Sequence, residues 1–190
     1  MNFKDLVSQN RSQRTFDESR KIAREELVSL VSLARISPSA ANRQPLKYFL
    51  SADENTNAII QPMTGWGGSL PQLKLPPEGH RPTAFIVILV DKTITPDPRH
   101  AEKDVGIAAQ TMLLGAAEMG LSGCMIGSFK PGLRDALLLP ETLEIALVVA
   151  LGKGEEDIEI VDAGDSVKYY RDEAGRHYVP KRTLEEIIVG

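Results

Sequence analysis

Arg11-Ser12-Gln13-Arg14 sets two guanidinium groups around a hydroxyl, in a polar stretch between two apolar-periodic segments. Arginine forks match the geometry of phosphate oxygens, and a serine adds a short hydrogen bond. Near the other end, Lys181 and Arg182 in Val179-Pro180-Lys181-Arg182-Thr183 could complete a site for a dianion. Two further segments are rich in small and polar residues. In Ser37-Pro38-Ser39-Ala40-Ala41-Asn42-Arg43-Gln44-Pro45 the small residues let the backbone approach a flat ligand. Asn42 and Gln44 there offer both donors and acceptors, which suits the edge of a heterocycle. Gly120-Leu121-Ser122-Gly123-Cys124-Met125-Ile126-Gly127-Ser128 ends a strand in Gly-Ser, leaving backbone N–H groups clear of bulky neighbours. Taken singly, the four also read as a solvated basic turn, a surface basic pair, a helix-terminating loop and a tight turn after a strand.

Other chemistries lack their residues. There is no G-x-x-x-x-G-K-[ST], and no G-x-G-x-x-G follows a strand; Gly65-Trp66-Gly67-Gly68 sits in proline-rich coil. His80, His100 and His177 are not at ligand spacing with one another or with the single cysteine, so no metal site is expected. No G-x-S-x-G elbow occurs. Cys124, flanked by Met125 and Ile126 in an apolar strand, reads as a buried and inert thiol. No side chain is therefore singled out as catalytic, and an enzyme of this sequence would rely on a cofactor for its chemistry.

Composition narrows the partners. With 22 basic and 26 acidic residues the net charge is −4, and no dense Lys/Arg run favours nucleic acid or an anionic membrane. The longest apolar run, Ala84 to Val90, is too short to span a bilayer as a helix. One cysteine fits a reducing compartment, and residues 1–5 lack the apolar core of a signal peptide. The expected location is the cytoplasm, and the expected ligand is small.

The elements that must position these residues follow from periodicity. Asn2 can cap a short helix carrying Phe3, Leu6 and Val7 on one face. A second helix is expected from Ile22 to Arg35, with Leu27, Leu30, Val31 and Ala34 inward, ended before Pro38. Tyr48 to Leu50 suggests a strand, and Asp53 a cap for a helix through Ile60. Residues 61–83 hold five of the 12 prolines and read as an irregular loop or lid. Ala84 to Val90 and Ile145 to Leu151 lack alternation, so both are interior strands. Glu102 to Met119 is the longest helix and is apolar on several sides. Leu133 to Leu138 is a short helix, Glu155-Glu156-Asp157 a solvated acidic turn, and Tyr169 to Tyr178 a hairpin. Thr183 caps a last turn through Ile188. Irregular alternation with a hairpin tail indicates an α+β or mixed-sheet α/β sandwich, read as one domain over residues 1–190.

In this order the segments resemble the FMN-dependent nitroreductase family: a basic-Ser-x-basic turn, S-P-S-A-x-N-x-Q-P, a long alanine-rich helix leading into G-L-x-G-x-x-I-G, and a P-K-R-x-L-E-E tail. The resemblance spans about residues 10 to 188. It implies a central, mostly antiparallel sheet flanked by helices, and an intertwined homodimer with two flavin sites at the subunit interface. It implies bound FMN, NADH or NADPH as electron donor, and small acceptors such as nitroaromatics or quinones in a ping-pong cycle. By motif, Arg11, Ser12 and Arg14 would bind the phosphate, ribityl chain and pyrimidine edge. Pro38, Ser39, Ala40 and Asn42 would approach the same flavin from the other subunit. Backbone N–H groups of Gly127 and Ser128 would face its N5 and O4, and Lys181 and Arg182 its phosphate. Relatives of this shape also include reductive dehalogenases and a flavin-fragmenting enzyme, and a non-catalytic flavin binder is a further alternative. The sequence departs from the pattern at Asn10, where many relatives have another arginine, at Leu46, and across 53–82.

Overall fold

The computed structural model describes residues 2–68, 70 and 72–190; Met1, and Ser69 and Pro71 of the proline-rich stretch, lie outside the described residues. In chain order the elements are α1 (Phe3–Gln9), β1 (Phe16–Asp17), α2 (Arg24–Arg35), β2 (Leu46–Ser51), α3 (Glu54–Ile60), β3 (Ala84–Asp91), α4 (Glu102–Glu118), β4 (Ser122–Ile126), α5 (Leu133–Ala136), β5 (Leu143–Gly154), β6 (Ile158–Asp162), β7 (Tyr170–Arg171), β8 (His177–Lys181) and α6 (Leu184–Ile187).

An uninterrupted apolar strand must be covered on both faces, and β3 is buried from Ala84 to Val90. It pairs with β2 on one edge and β5 on the other. The far edge of β5 carries β4 beside residues 148–152 and then β1 beside Lys153 and Gly154. All four pairings are antiparallel. Alternation divides the sheet into two faces. Ile86, Ile88, Val149 and Leu151 pack under α2 and α4. Phe85, Val87, Val148, Cys124 and Ile126 pack with Ile60, Leu133 and Leu137. This is the expected α+β sandwich.

The helices start where side chains can satisfy free N–H groups. Asn2 accepts from Asp5 N, Asp53 from Thr56 N and Thr183 from Glu186 N, as the capping residues in the sequence indicate. α2 begins at Arg24 rather than Ile22, because Glu26 reaches back to the Ala23 N–H at 2.9 Å; Ile22 is buried outside the helix. Gly115 of α4 meets α2 so closely that an added Cβ would lie 2.4 Å from Leu33 Cδ1. Among the described residues no helix is long and apolar enough to cross a membrane.

The C-terminal region forms a second sheet, ordered β6-β8-β7. β7 and β8 make the expected hairpin, turning through Gly175 at φ 86° and stacking Tyr170 on Tyr178 at 5.0 Å. β8 also pairs in parallel with β6. Periodicity did not indicate β1 or β6. β5 extends to Gly154, well past Leu151, because the start of β4 and then β1 supply partners there, Ser122 opposite Gly152 and Phe16 opposite Gly154. α5 stops at Ala136, short of the expected Leu138, which adopts a left-handed φ of 54°.

At Gly123 the β4 backbone leaves no room for a side chain against β5. A Cβ there would sit 2.6 Å from the Ala150 carbonyl oxygen and 2.6 Å from Leu113 Cδ2. A backbone oxygen cannot swing aside, so Gly123→Ala should destabilise the fold by about 1–3 kcal/mol. Urea unfolding would register this as a lower midpoint at unchanged slope.

Candidate functional site

The turn after α1 is pinned from two directions. Gln13 N donates to the Gly123 carbonyl at 3.0 Å, tying the turn to β4. The Gln13 amide is buried and reads the backbone of the β5–β6 corner: its Nε2 donates to Glu156 O at 3.2 Å, and its Oε1 accepts from Glu156 N at 3.0 Å. Gly154 admits this side chain, since a Cβ at 154 would lie 2.6 Å from Gln13 Cδ. With Gln13 turned inward, Ser12 and Arg14 are left on the outer side.

Glu156 closes the same corner. The sequence suggests that Glu155-Glu156-Asp157 is solvated, and the structure corrects this for the middle residue. Glu155 meets His80 at 2.6 Å and Asp157 meets Arg176 at 2.8 Å, both exposed, while the Glu156 side chain is only 4% exposed. Its carboxylate accepts from the Arg14 backbone N–H and from the Arg171 guanidinium. His177 Nδ1 lies 3.5 Å from Glu156 Oε1, longer than a good hydrogen bond. Burial alone would push this carboxyl up. The His177 ring, the Arg14 N–H and the Arg171 charge outweigh burial and hold it below the usual carboxylate range.

Around these anchors lies a cavity of about 350 Å³. Arg11, Ser12 and Arg14 line it from the turn, Gln110 and Leu113 from α4, Gly123 and Met125 from β4, and His177, Val179 and Lys181 from β8. Strand alternation puts those three β8 side chains on one face. Arg14 lies over the Tyr169 ring at 4.8 Å. The Arg11 guanidinium donates to Val7 O at 2.8 Å, but its buried Nε has no partner, and burial lowers its pKa. Among the described residues no carboxylate lies within ion-pairing distance of Arg11, the Arg14 guanidinium or Lys181. Three uncompensated cations, one of them with an unpaired Nε, and a hydroxyl around one hollow suit a phosphate dianion. The residues present therefore fit the phosphate of a flavin mononucleotide. Cys124 is buried in β4 with its thiol pushed up by that burial, in keeping with an inert side chain.

The other sequence-indicated residues lie elsewhere on the chain. Arg182, next to Lys181, does not line the cavity and faces Glu186 at 3.4 Å. Gly127 and Ser128 follow β4, where Gly65 N donates to Ser128 O at 2.8 Å. Pro38 and Ser39 line a separate concavity of about 310 Å³, together with Asp104 and Ala108 of α4. On helical geometry these two lie opposite Gln110 and Leu113. Ala40 and Asn42 are exposed beside it. One chain thus gathers Arg11, Ser12, Arg14 and Lys181, and leaves Pro38, Ser39, Ala40 and Asn42 facing away from them. Sequence reasoning did not single out Gln13, Asp104, Gln110, Glu156 or His177 for the site. A Gln between two basic residues and an Asp in an alanine-rich helix were the only signals for the first two.

Asp104 shapes the Ser37–Pro45 loop. Its buried carboxylate accepts from Ser39 Oγ at 2.6 Å and from Ala40 N at 3.0 Å, in the first turn of α4 where the helix dipole favours a negative charge. Ser39 Oγ in turn accepts from Gln44 N at 3.0 Å. Ala41, Asn42 and Gln44 all hold φ near +50°. Asp104→Ala leaves a hydroxyl and an N–H without an acceptor and should cost about 1–3 kcal/mol. Trypsin should then cleave after Arg43 faster than in the parent protein.

Glu156 makes a second measurable difference. Its folded pKa lies below an unfolded value of about 4.3, so its contribution is complete above that pH and is lost as pH falls through the folded value. The stability advantage of the parent over Glu156→Gln at pH 6 should therefore shrink progressively as the pH falls below about 4. Urea midpoints of both proteins across that range measure it, and a constant difference would contradict the assignment.

Comparison with known proteins bears on the fold and the family. The family model described as Nitroreductase family matches residues 7–68 and 71–153. An oxygen-insensitive NADPH nitroreductase of Helicobacter acinonychis is 26% identical over 186 residues, covering 79% of this chain and 86% of that protein. An FMN-dependent nitroreductase of Clostridium difficile R20291 superposes with a TM-score of 0.63 at 21% identity, covering 84% of this chain and 91% of the other. A Desulfovibrio desulfuricans protein solved in complex with FMN gives a TM-score of 0.72 at 20% identity, covering 100% and 97%. At these identities the structural likeness establishes the fold, and the family match, which takes in well over half of the residues, establishes more: this chain belongs to the nitroreductase family.

Proposed function

We propose that the chain is an FMN-dependent oxidoreductase that draws reducing equivalents from NADH or NADPH and delivers them to nitroaromatic, quinone or related small acceptors, donor and acceptor using one opening in turn. The observation that carries this reading is the set of unpaired cations, Arg11, Arg14 and Lys181, around a single cavity with Ser12 at its side. Family membership, the NADPH nitroreductase relative and the FMN-bound structural neighbour support the same cofactor and donor.

When bound, FMN supplies the hydride chemistry, so the chain's own task is to grip, orient and shield it. Arg11, Ser12 and Lys181 would hold the phosphate and ribityl chain. Arg182 would join them by leaving its exposed pair with Glu186, an interaction of small worth. Arg14 would lie at the pyrimidine edge, where its charge favours the redox state bearing more negative charge. Such a pair at 4 Å is worth at most about 4 kcal/mol at an effective dielectric of ~20. Gly127 and Ser128 would offer backbone N–H groups to the ring. Pro38, Ser39, Ala40 and Asn42 would reach the cavity of a second copy, in a homodimer. Apolar side chains left exposed on the single chain support that assembly: Phe3 on α1, Val28 and Ile36 at α2, Ile107 on α4, and Leu184, Ile187, Ile188 and Val189 at the end.

The purified protein should carry a yellow chromophore, or gain one on adding FMN. Under anaerobic conditions NADH or NADPH should bleach it, and a nitroaromatic or quinone should restore the colour faster than oxygen does. Sedimentation should give twice the chain mass. A protein that takes up no FMN would refute the reading.

A further inference from the structure

We propose that Tyr169 is a positioning residue for Arg14: the face of its ring holds the guanidinium at the cavity wall and, through it, biases the bound flavin toward its reduced state. This rests on the flavin reading above and extends it to a residue that the sequence marked only as the flank of a hairpin.

The central carbon of the Arg14 guanidinium lies 4.8 Å from the centroid of the Tyr169 ring, within the range of a cation–π contact. Both residues are half-buried, and both line the cavity. The contact meets a need of that hollow. Arg11, Arg14 and Lys181 line it together, and like charges at close range repel. A carboxylate would hold Arg14, but it would also cancel the charge that a ligand is to meet. The nearby buried carboxylate is used otherwise: Glu156 accepts from the Arg14 backbone N–H, and its side-chain partner is Arg171. An aromatic face attracts a cation and leaves its net charge in place. A ring face is also a far weaker acceptor than an oxygen. Nη1 donates to Ser12 O at 3.2 Å, and the guanidinium keeps further N–H groups to offer a ligand.

Tyr169 can serve this purpose because contacts other than Arg14 set its place. It directly precedes β7, where Arg171 sits opposite His177 in the strand register and reaches Glu156. The Tyr169 ring packs against the buried His177 ring, 5.3 Å between centroids and tilted by 49°. The next residue, Tyr170, stacks on Tyr178 and helps to hold the hairpin. The C-terminal sheet thus brings a fixed aromatic face to a cation of the N-terminal turn. At the pyrimidine edge, a cation held in one place stabilises the more negative redox state more than a cation that wanders, because its alignment costs nothing when the charge appears.

A double-mutant cycle tests this, reading the dissociation constant of FMN from flavin-stripped protein and the midpoint potential of the bound flavin. Tyr169→Leu should weaken FMN binding about fivefold, the scale of one partly exposed cation–π contact. Reduced FMN should lose a further factor of about three relative to oxidised FMN, which lowers the two-electron potential by ~15 mV. Tyr169→Phe keeps the ring face and should stay within about twofold of the parent. Pentafluorophenylalanine in place of Tyr169 keeps the ring's shape but reverses the charge of its face, and should reproduce the loss seen with Leu. That variant carries the test if the Leu protein does not fold. In an Arg14→Gln background, neither Tyr169→Leu nor the fluorinated ring should change affinity or potential further. The proposal is overturned if Tyr169→Leu loses as much in that background as in the parent, or if its affinity falls with the potential unmoved. It is equally overturned if Tyr169→Phe loses as much as Leu, which would trace the effect to the hydroxyl, or if the fluorinated ring behaves like Phe. Each of these results leaves FMN binding by the parent intact. If the parent binds no FMN at all, the functional reading fails instead.

Discussion

A buried carboxylate joins the two ends of this chain. Glu156 leaves β5 at the point where the first turn, β4 and the C-terminal sheet come together, and its donors come from all sides: the Arg14 backbone N–H, the Arg171 guanidinium and, at longer range, the His177 ring. A desolvated carboxylate without partners would be costly, so the corner holds only while those donors stay in place. That requirement fixes the path of residues 11–14 and thereby aims Ser12 and Arg14 outward. The site's geometry is in this sense a by-product of satisfying one negative charge.

The corner depends equally on missing side chains. Gly152 accepts the Phe16 ring, Gly154 the Gln13 amide, and Gly123 the Ala150 carbonyl, each at a distance that a Cβ would occupy. Neither tight packing nor a buried charge would be enough alone. The glycines let the turn approach, and Gln13 and Glu156 give it polar partners once it arrives.

Much of the scaffold was legible because it follows from local periodicity. Ala84 to Val90 could only be interior, the Glu102–Glu118 helix had several apolar faces, and Asn2, Asp53 and Thr183 marked helix starts. What escaped depended on residues far away in the chain. Glu156 sits in an acidic run whose neighbours are solvated, and only partners 15 and 142 positions away turn it inward. β1 is two residues long, too short for any period, and exists because β5 extends to meet it. His177 had no second ligand at a useful spacing, so nothing in the sequence separated it from an ordinary core residue. Arg11, Ser12, Arg14 and Lys181 were legible as a group through the order of motifs, and the cavity they share follows from strand and turn geometry.

Ala41, Asn42 and Gln44 each hold a backbone shape that glycine would adopt with less strain. Glycine would also leave the segment many more shapes when nothing restrains it. Side-chain-bearing residues there, clamped by Asp104 through Ser39 and Ala40, make the opposite choice: a strained conformation with few alternatives. The ordering of that rim is thus completed when the chain folds, and whatever later docks against it meets a surface already in its final form, with little further entropy to lose.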